Sequence, residues 1–199
     1  MKILQIGCGG IGSWLAEEVA RAFNEQQIGH SVDYWIADND IVEVVNIRHQ
    51  NFTDKDIGRN KADALAMRFK IFEPIIQRVN GATDLNGFGL IVLCVDNNST
   101  REFIFKYCHE NNKDFIDLRA EGKRVFAMQK TNDLNINLGT LNLTDITKVS
   151  VEENGSCQLK ADLERGIIQK GNKIVAIIGI QMLLNHLRGE KNRTIALSL

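Results

Sequence analysis

Proline is almost missing: Pro74 is the one proline in 199 residues. That excludes proline-rich linkers and polyproline recognition segments. An excess of charge of either sign is missing too. The 24 basic and 25 acidic residues leave a net charge of −1, so nothing argues for nucleic acid or an anionic membrane as a partner. No apolar run approaches the roughly 18 residues of a spanning helix. The N-terminus shows neither a basic leader region nor a cleavage site, so no secretory signal is expected and a cytoplasmic protein is. The four cysteines, Cys8, Cys94, Cys108 and Cys157, form no C-x-x-C pair, which removes the usual structural zinc motif. Internal repeats are absent. What is present is an ordinary globular mixture, 44% apolar and 25% charged, enough for one domain with a real core.

A strand-length apolar segment covers residues 2–6. A helical pattern follows over 11–23, with Ile11, Trp14, Leu15, Val19 and Phe23 at helical spacing. Val32, Tyr34 and Ile36 alternate within Ser31–Asp38 and predict a second strand, closed by the polar loop Asp38-Asn39-Asp40. Next are expected a helix over 60–71, a short strand opened by Pro74 near Ile75–Val79, and a strand covered on both faces over Leu90–Val95. A helix over 99–110 and a strand over Phe115–Leu118 complete this half. Arg124–Gln129 and Leu134–Leu138 alternate polar and apolar residues, as antiparallel strands do. Thr144 to Gly171 is polar and irregular and reads as a crossover loop. Asn172–Leu187 is apolar around more than one face and predicts a mostly buried last helix. Strand–helix alternation followed by antiparallel strands predicts a single α/β, Rossmann-like domain over 1–199 with a mixed, mainly parallel sheet. Its nucleotide-binding half is expected over about 1–120, with the antiparallel strands, loop and last helix over about 121–199.

The first strand runs into Gly7, Gly9, Gly10 and Gly12. Glycines at a strand-to-helix turn let the backbone approach a phosphate, and the N–H groups at the helix start hold its charge. The spacing G-x-G-x-x-G is weak alone, and a tight structural turn would also explain it. Asp38, at the end of strand two, is placed to accept hydrogen bonds from a ribose. Up to this point an NAD-dependent oxidoreductase and an ATP user fit equally.

The following segment separates them: Asp38-Asn-Asp40-Ile-Val, then Asn46-Ile-Arg48-His49-Gln50, Gly58-Arg-Asn-Lys61-Ala62 and Asp96-Asn97-Asn-Ser-Thr-Arg101. With the glycine turn, this resembles the ThiF/MoeB/HesA superfamily of ubiquitin-activating-enzyme-like adenylyltransferases. Their pattern runs G-x-G-G-x-G, D-x-D-x-V, N-L-x-R-Q, G-x-x-K-A and D-N-x-x-x-R. The resemblance implies that a C-terminal carboxylate attacks the α-phosphate of Mg-ATP and leaves an acyl-adenylate. The carboxylate is usually that of a ubiquitin-like or sulfur-carrier protein, and the enzyme usually a homodimer; one branch acts on a tRNA base. It implies phosphate binding by Gly7, Gly9, Gly10, Gly12 and Ser13, ribose binding by Asp38, and ordering of loop and phosphates by Asp40 and Asn46. Lys61 would neutralise the departing pyrophosphate. Asp96, next to Asn97, would hold Mg²⁺, a hard cation that prefers carboxylate oxygen. Bland readings stand beside these: turn residues at Asp38 and Asp40, a surface lysine at Lys61, and a helix N-cap at Asp96-Asn97. Arg101 reads as a salt-bridge or capping partner.

Three departures matter. The pattern's arginine falls on His49, with Arg48 one position earlier, and Arg48 is expected to substitute because arginine is always charged. The family usually has helices ahead of strand one that can send an arginine across the dimer; residues 2–6 already read as that strand, so the arginine is expected to be missing or to come from elsewhere. Paired C-x-x-C motifs are missing, so a compact zinc-free variant is expected. Cys157 lies where family members often carry a cysteine, sometimes the thiol that takes the activated acyl group. Cys8 and Cys94 read as small buried residues, His186 as a packed or surface residue, and Trp14 and Trp35 as core. A catalytically weak subunit that keeps the fold is the runner-up, favoured by His49. An oxidoreductase leaves Asn46, Lys61 and Asp96-Asn97 unexplained.

Overall fold

The computed structural model describes residues 1–81, 83–121, 123–130 and 164–199. Seven strands form one sheet in the order β3-β2-β1-β4-β5-β6-β7. They are β1 (Lys2–Ile6), β2 (Asp33–Ala37), β3 (Phe72–Ile75), β4 (Leu90–Leu93), β5 (Asp114–Glu121), β6 (Arg124–Lys130) and β7 (Ile195–Ser198). Strands β1 to β5 pair in parallel, while β6 and β7 add antiparallel. The helices are α1 (Gly12–Asn24), α2 (Lys61–Phe69), α3 (Asn98–Glu110) and α4 (Gly171–Leu187). This is the mixed, mainly parallel α/β sheet that the sequence pattern predicts. Among the described residues no helix is long and apolar enough to cross a membrane.

Alternation along the strands builds two cores. Ile3, Tyr34, Ile36, Val92 and Leu118 face α1, α2 and α4 on one side. Leu4, Ile6, Ile91 and Leu93 face α3 and the segment holding Val79, Leu85 and Phe88 on the other. Apolar burial on both faces is what a central parallel strand requires, and all four residues of β4 are buried.

Two strands differ from expectation. β3 begins at Phe72 and ends at Ile75, so Pro74 lies inside it and not at its start. β3 is an edge strand, where a residue without an N–H is tolerated, and Phe72 anchors it against Tyr34 and Phe69. β7 was not legible: among the described residues only β6 pairs with it, and its residues stay largely exposed. The expected strand over Leu134–Leu138, and the expected crossover loop as far as residue 163, lie outside the described residues.

Glycines fix how closely α1 rides on the sheet. Gly7 has φ +95°, and a side-chain carbon there would lie 2.7 Å from the carbonyl oxygen of Cys94, the residue just after β4. At Gly12 the added carbon would run into the Gly7 carbonyl oxygen and sit 2.8 Å from Gln5 Nε2. Gln5, fully buried in mid-strand, donates from Nε2 to Gly7 O (3.1 Å) and Gly12 O (3.0 Å) and accepts from Tyr34 Oη (3.2 Å). One side chain thus ties both ends of the turn to β1 and β2. Gly12→Ala is expected to cost at least about 2 kcal/mol, because a backbone carbonyl must move. Urea unfolding measures this, and an unchanged midpoint would contradict the packing.

Candidate nucleotide-binding cleft

At the C-terminal ends of β1, β2 and β4 the chain order reverses, and crevices open at such switch points. The cleft found there has a volume of about 350 Å³. Gly7, Gly9 and Gly10 form one side, and Asp38, Asp40 and Lys61 a second. Asp96, Asn97 and Thr100 form a third, and His49, Gln50, Gln77 and Arg78 also line it.

Asp38 is held by two backbone donors. Its Oδ2 accepts from Cys8 N at 2.6 Å and its Oδ1 from Asp40 N at 2.9 Å. Burial raises the carboxyl above its ordinary pKa, against the pull of those two hydrogen bonds and of Lys61. A carboxylate has about four acceptor sites, so each oxygen keeps capacity for a ligand hydroxyl. The Asp40 N–H to Asp38 Oδ1 bond is that of a turn residue, and both aspartates also line the cleft.

Lys61 opens α2 and is only 7% exposed. Its ammonium donates to Asp40 Oδ2 at 3.1 Å, and its N–H bonds the Asp40 carbonyl. Asn60, which sequence reasoning missed, organises this corner. Its Oδ1 caps α2 through the Ala62 and Asp63 N–H groups, while its Nδ2 donates to the Asp38 (2.9 Å) and Asp40 (3.1 Å) carbonyls. An asparagine just before a helical pattern was the available signal. Gln5 also had one, a polar residue amid Ile3, Leu4 and Ile6.

Asp96 sits beyond β4, exposed, with no hydrogen-bond or ion-pair partner among the described residues. Asn97 caps α3 through Thr100 N at 2.9 Å, as the capping alternative expected, and still lines the cleft. Arg101 is structural: its Nε donates to Asp117 Oδ1 at 3.2 Å and its Nη2 to the Val95 carbonyl. Arg119 Nε donates to the other Asp117 oxygen at 2.6 Å, so one fully buried carboxylate serves two arginines. This network fixes the strand end that carries Asp96.

The remaining expected residues divide. His49 lines the cleft, whereas Arg48 is exposed and is not among its lining residues. Asn46 is buried, accepts from Glu43 N at 2.9 Å, and borders a shallow depression beside Asp40 and Lys61. Ser13 is fully buried, and its Oγ accepts from Asn51 N at 2.9 Å, so its side chain faces the fold and not the cleft. Gly12 likewise works inside the turn. Cys8 is buried, and burial pushes its thiol well above the ordinary range, which makes it inert. Cys157 lies outside the described residues. Among the described residues no group of three His, Cys, Asp or Glu side chains could hold a metal.

Fold and cleft define a Rossmann-like α/β protein with a ligand crevice at its switch point. The ThiF family model matches residues 1–198, and the chain belongs to that family. The tRNA threonylcarbamoyladenosine dehydratase of Haemophilus influenzae is 29% identical over 138 residues, which are 64% of this chain and 50% of that protein. The ATP-dependent ubiquitin transferase-like protein Cap2 of Enterobacter hormaechei is 29% identical over 146 residues, 65% of this chain and 23% of that protein. The chain thus spans half the length of the first relative and less than a quarter of the second. Among solved structures, E. coli MccB with ATP superposes with a TM-score of 0.71 at 18% identity, covering 100% of this chain and 60% of that one. PaaA superposes with a TM-score of 0.70 at 18% identity, covering 100% and 69%. At this identity the two structures attest the fold.

Two expectations follow from the geometry. A side-chain carbon at Gly9 meets no atom within 4 Å. Gly9→Ala should therefore leave unfolding stability within about 0.5 kcal/mol of wild type; calorimetry checks this, and a larger loss would contradict the open space at that position. Burial first, then the Lys61 charge, lowers the His49 pKa below its ordinary value. The folded protein therefore favours neutral His49, and that contribution is lost as pH falls through the unfolded value of about 6.5. Between about pH 7.5 and 5, wild type should lose more stability than His49→Gln in paired urea titrations.

Proposed function

We propose that the chain is an adenylating enzyme that binds Mg-ATP in this cleft. It activates the C-terminal carboxylate of a ubiquitin-like or sulfur-carrier protein, or of a peptide, as an acyl-adenylate, and it works as a homodimer. The observation that carries this reading is the charge arrangement. A buried lysine ammonium enters the cleft on one side, an unpartnered carboxylate stands on another, and a backbone-anchored aspartate waits for a ribose. A nicotinamide dinucleotide would use only the last of these. Family membership and relatives named for ubiquitin-type transfer and for tRNA dehydration support an adenylating reaction.

Asp38 would accept the ribose hydroxyls, and the Gly9 and Gly10 backbone would approach the phosphates. A substrate carboxylate oxygen attacks the α-phosphorus. A bond forms between them, the bond from the α-phosphorus to the bridging oxygen breaks, and pyrophosphate leaves with the electron pair. Lys61 offsets the charge on that leaving group. Asp40 holds the ammonium in place, since a long lysine side chain otherwise samples many rotamers. Asp96 would hold Mg²⁺, and the fit is good: a single free carboxylate is the protein's usual share when phosphates and waters complete the octahedron. The ion would supply further neutralisation of the triphosphate. Cys157 would be the thiol that receives the acyl group. The runner-up, a weakly catalytic subunit, draws support from one observation: the cleft carries His49 where the family pattern has arginine, and neutral imidazole stabilises phosphate charge poorly.

Asp96 is exposed and has no hydrogen-bond or ion-pair partner among the described residues. Asp96→Asn should leave the melting temperature unchanged and lower ATP–pyrophosphate exchange, with the cognate acyl partner, about 10²–10³-fold. Full exchange in the variant would remove the proposed metal site.

A further inference from the structure

Where β5 begins and β6 ends, away from the cleft, a chain of carboxamides runs into a histidine. Gln181 Nε2 donates to Asn185 Oδ1 at 2.7 Å, and Asn185 Nδ2 donates to Asn192 Oδ1 at 2.9 Å. Asn192 Nδ2 donates to the Met182 carbonyl at 2.7 Å and also to Gln129 Oε1. Gln129 Nε2 then lies 2.7 Å from His186 Nδ1. Gln129 is near the end of β6 and only 3% exposed. Gln181, Asn185 and His186 belong to α4, and Asn192 lies between α4 and β7.

The chain has one workable orientation. A carbonyl oxygen only accepts, so Asn192 must turn its nitrogen toward Met182. That nitrogen needs the oxygen of Gln129, and Gln129 must then offer its own nitrogen to His186. His186 Nδ1 is therefore the bare, accepting nitrogen, and the ring proton sits on Nε2. A proton on Nδ1 would set donor against donor. Gln129 cannot answer by turning over, because its nitrogen would then meet the nitrogen of Asn192. Nδ1 does have another partner in reach: Asp114 Oδ2, at the start of β5, stands 3.8 Å away. A carboxylate accepts from a protonated ring and offers nothing to a bare nitrogen.

We propose that His186 is an acid-sensitive latch on the C-terminal strand. Neutral, it holds Gln129 and, through it, Asn192, which leads into β7. Protonated, it turns to Asp114 and releases them. β7 depends on such a hold: among the described residues only β6 pairs with it, and Ala196, Leu197 and Ser198 are exposed. An edge strand with one ladder opens locally at small cost. Neighbouring charges leave the choice to Asp114. Lys130, next to Gln129, faces the other side of the sheet, with Nζ 3.4 Å from His109 Nδ1 on α3. On α1, Arg21 and Glu25 border Gln181 and Leu184, and Arg21 pairs with Glu18. Arg188, just past α4, is exposed. Burial lowers the His186 pKa below its ordinary value, and Asp114 pulls it the other way. Stability drawn from the neutral ring is thus full above the unfolded value of about 6.5 and is lost as pH falls below it.

The test follows His186 and β7 together in the full chain. Nitrogen NMR of the histidine rings at about pH 7.5 is expected to show His186 as the Nε2–H tautomer. Between about pH 7.5 and 4.5, hydrogen-exchange protection of the β7 amides, corrected for the intrinsic rate, should fall about tenfold along the His186 titration, the worth of one hydrogen bond. Gln129→Glu keeps an acceptor for Asn192 and gives the charged ring one too, so its β7 protection should not fall. Asp114→Asn removes the alternative partner and should move the fall to lower pH. An Nδ1–H tautomer in wild type, a His186 that stays neutral throughout, or protection that ignores its titration would overturn the inference. Should Gln129→Glu fail to fold, the wild-type tautomer and titration still decide. None of these readouts involves a nucleotide, so they stand apart from the adenylating reading.

Discussion

Contact of backbone on backbone at Gly7 and Gly12 is the constraint on which the rest of the molecule depends. A side chain at either position would occupy space already held by a carbonyl oxygen. With both positions bare, α1 starts directly above β1, and the end of β4 closes against the turn. Gln5 completes the arrangement from below by bonding the carbonyls of both glycines. A polar side chain at the centre of a buried strand is tolerable because both its Nε2 hydrogens and its Oε1 are bonded.

The charges around the cleft are arranged in two ways. Those belonging to the fold are neutralised in place: Asp117 between Arg101 and Arg119, and Asp56 with Arg68. Those facing the cleft are only partly matched. Lys61 has one exposed carboxylate partner, and Asp96 has none among the described residues. A charge left without a protein partner at a crevice is available to a ligand. The buried network beneath it keeps the strand ends rigid, so that the ligand meets fixed positions and not mobile ones.

Much of this was legible along the chain because the signals are local. The glycine turn, the acid at the end of β2 and the apolar β4 follow from steric rules and a two-residue period. Asn97 and Asn60 carry ordinary capping chemistry. Less legible was the choice between Arg48 and His49. Both lie in or just after a single 3-10 turn (Asn46–Arg48), where no periodicity runs long enough to say which side chain turns inward. The bond from Asn51 N to the Ser13 hydroxyl, 38 residues apart, is likewise not legible along the chain. Pro74 suggested a strand start, and only its place at the sheet edge accounts for a proline within β3.

The amino-acid sequence by itself determined the element order from β1 to β6, the mixed α/β sheet, the family and the inventory of charged residues at the strand ends, because each depends on neighbours a few positions apart. Tertiary structure alone decided which of those residues meet. It set Lys61 beside Asp40, Asp96 across from them, and Asn172 against Gly10 from 162 residues further on. Such encounters depend on how strands are ordered and helices are laid over them, and the energy of burying apolar faces settles that arrangement over the whole sheet at once.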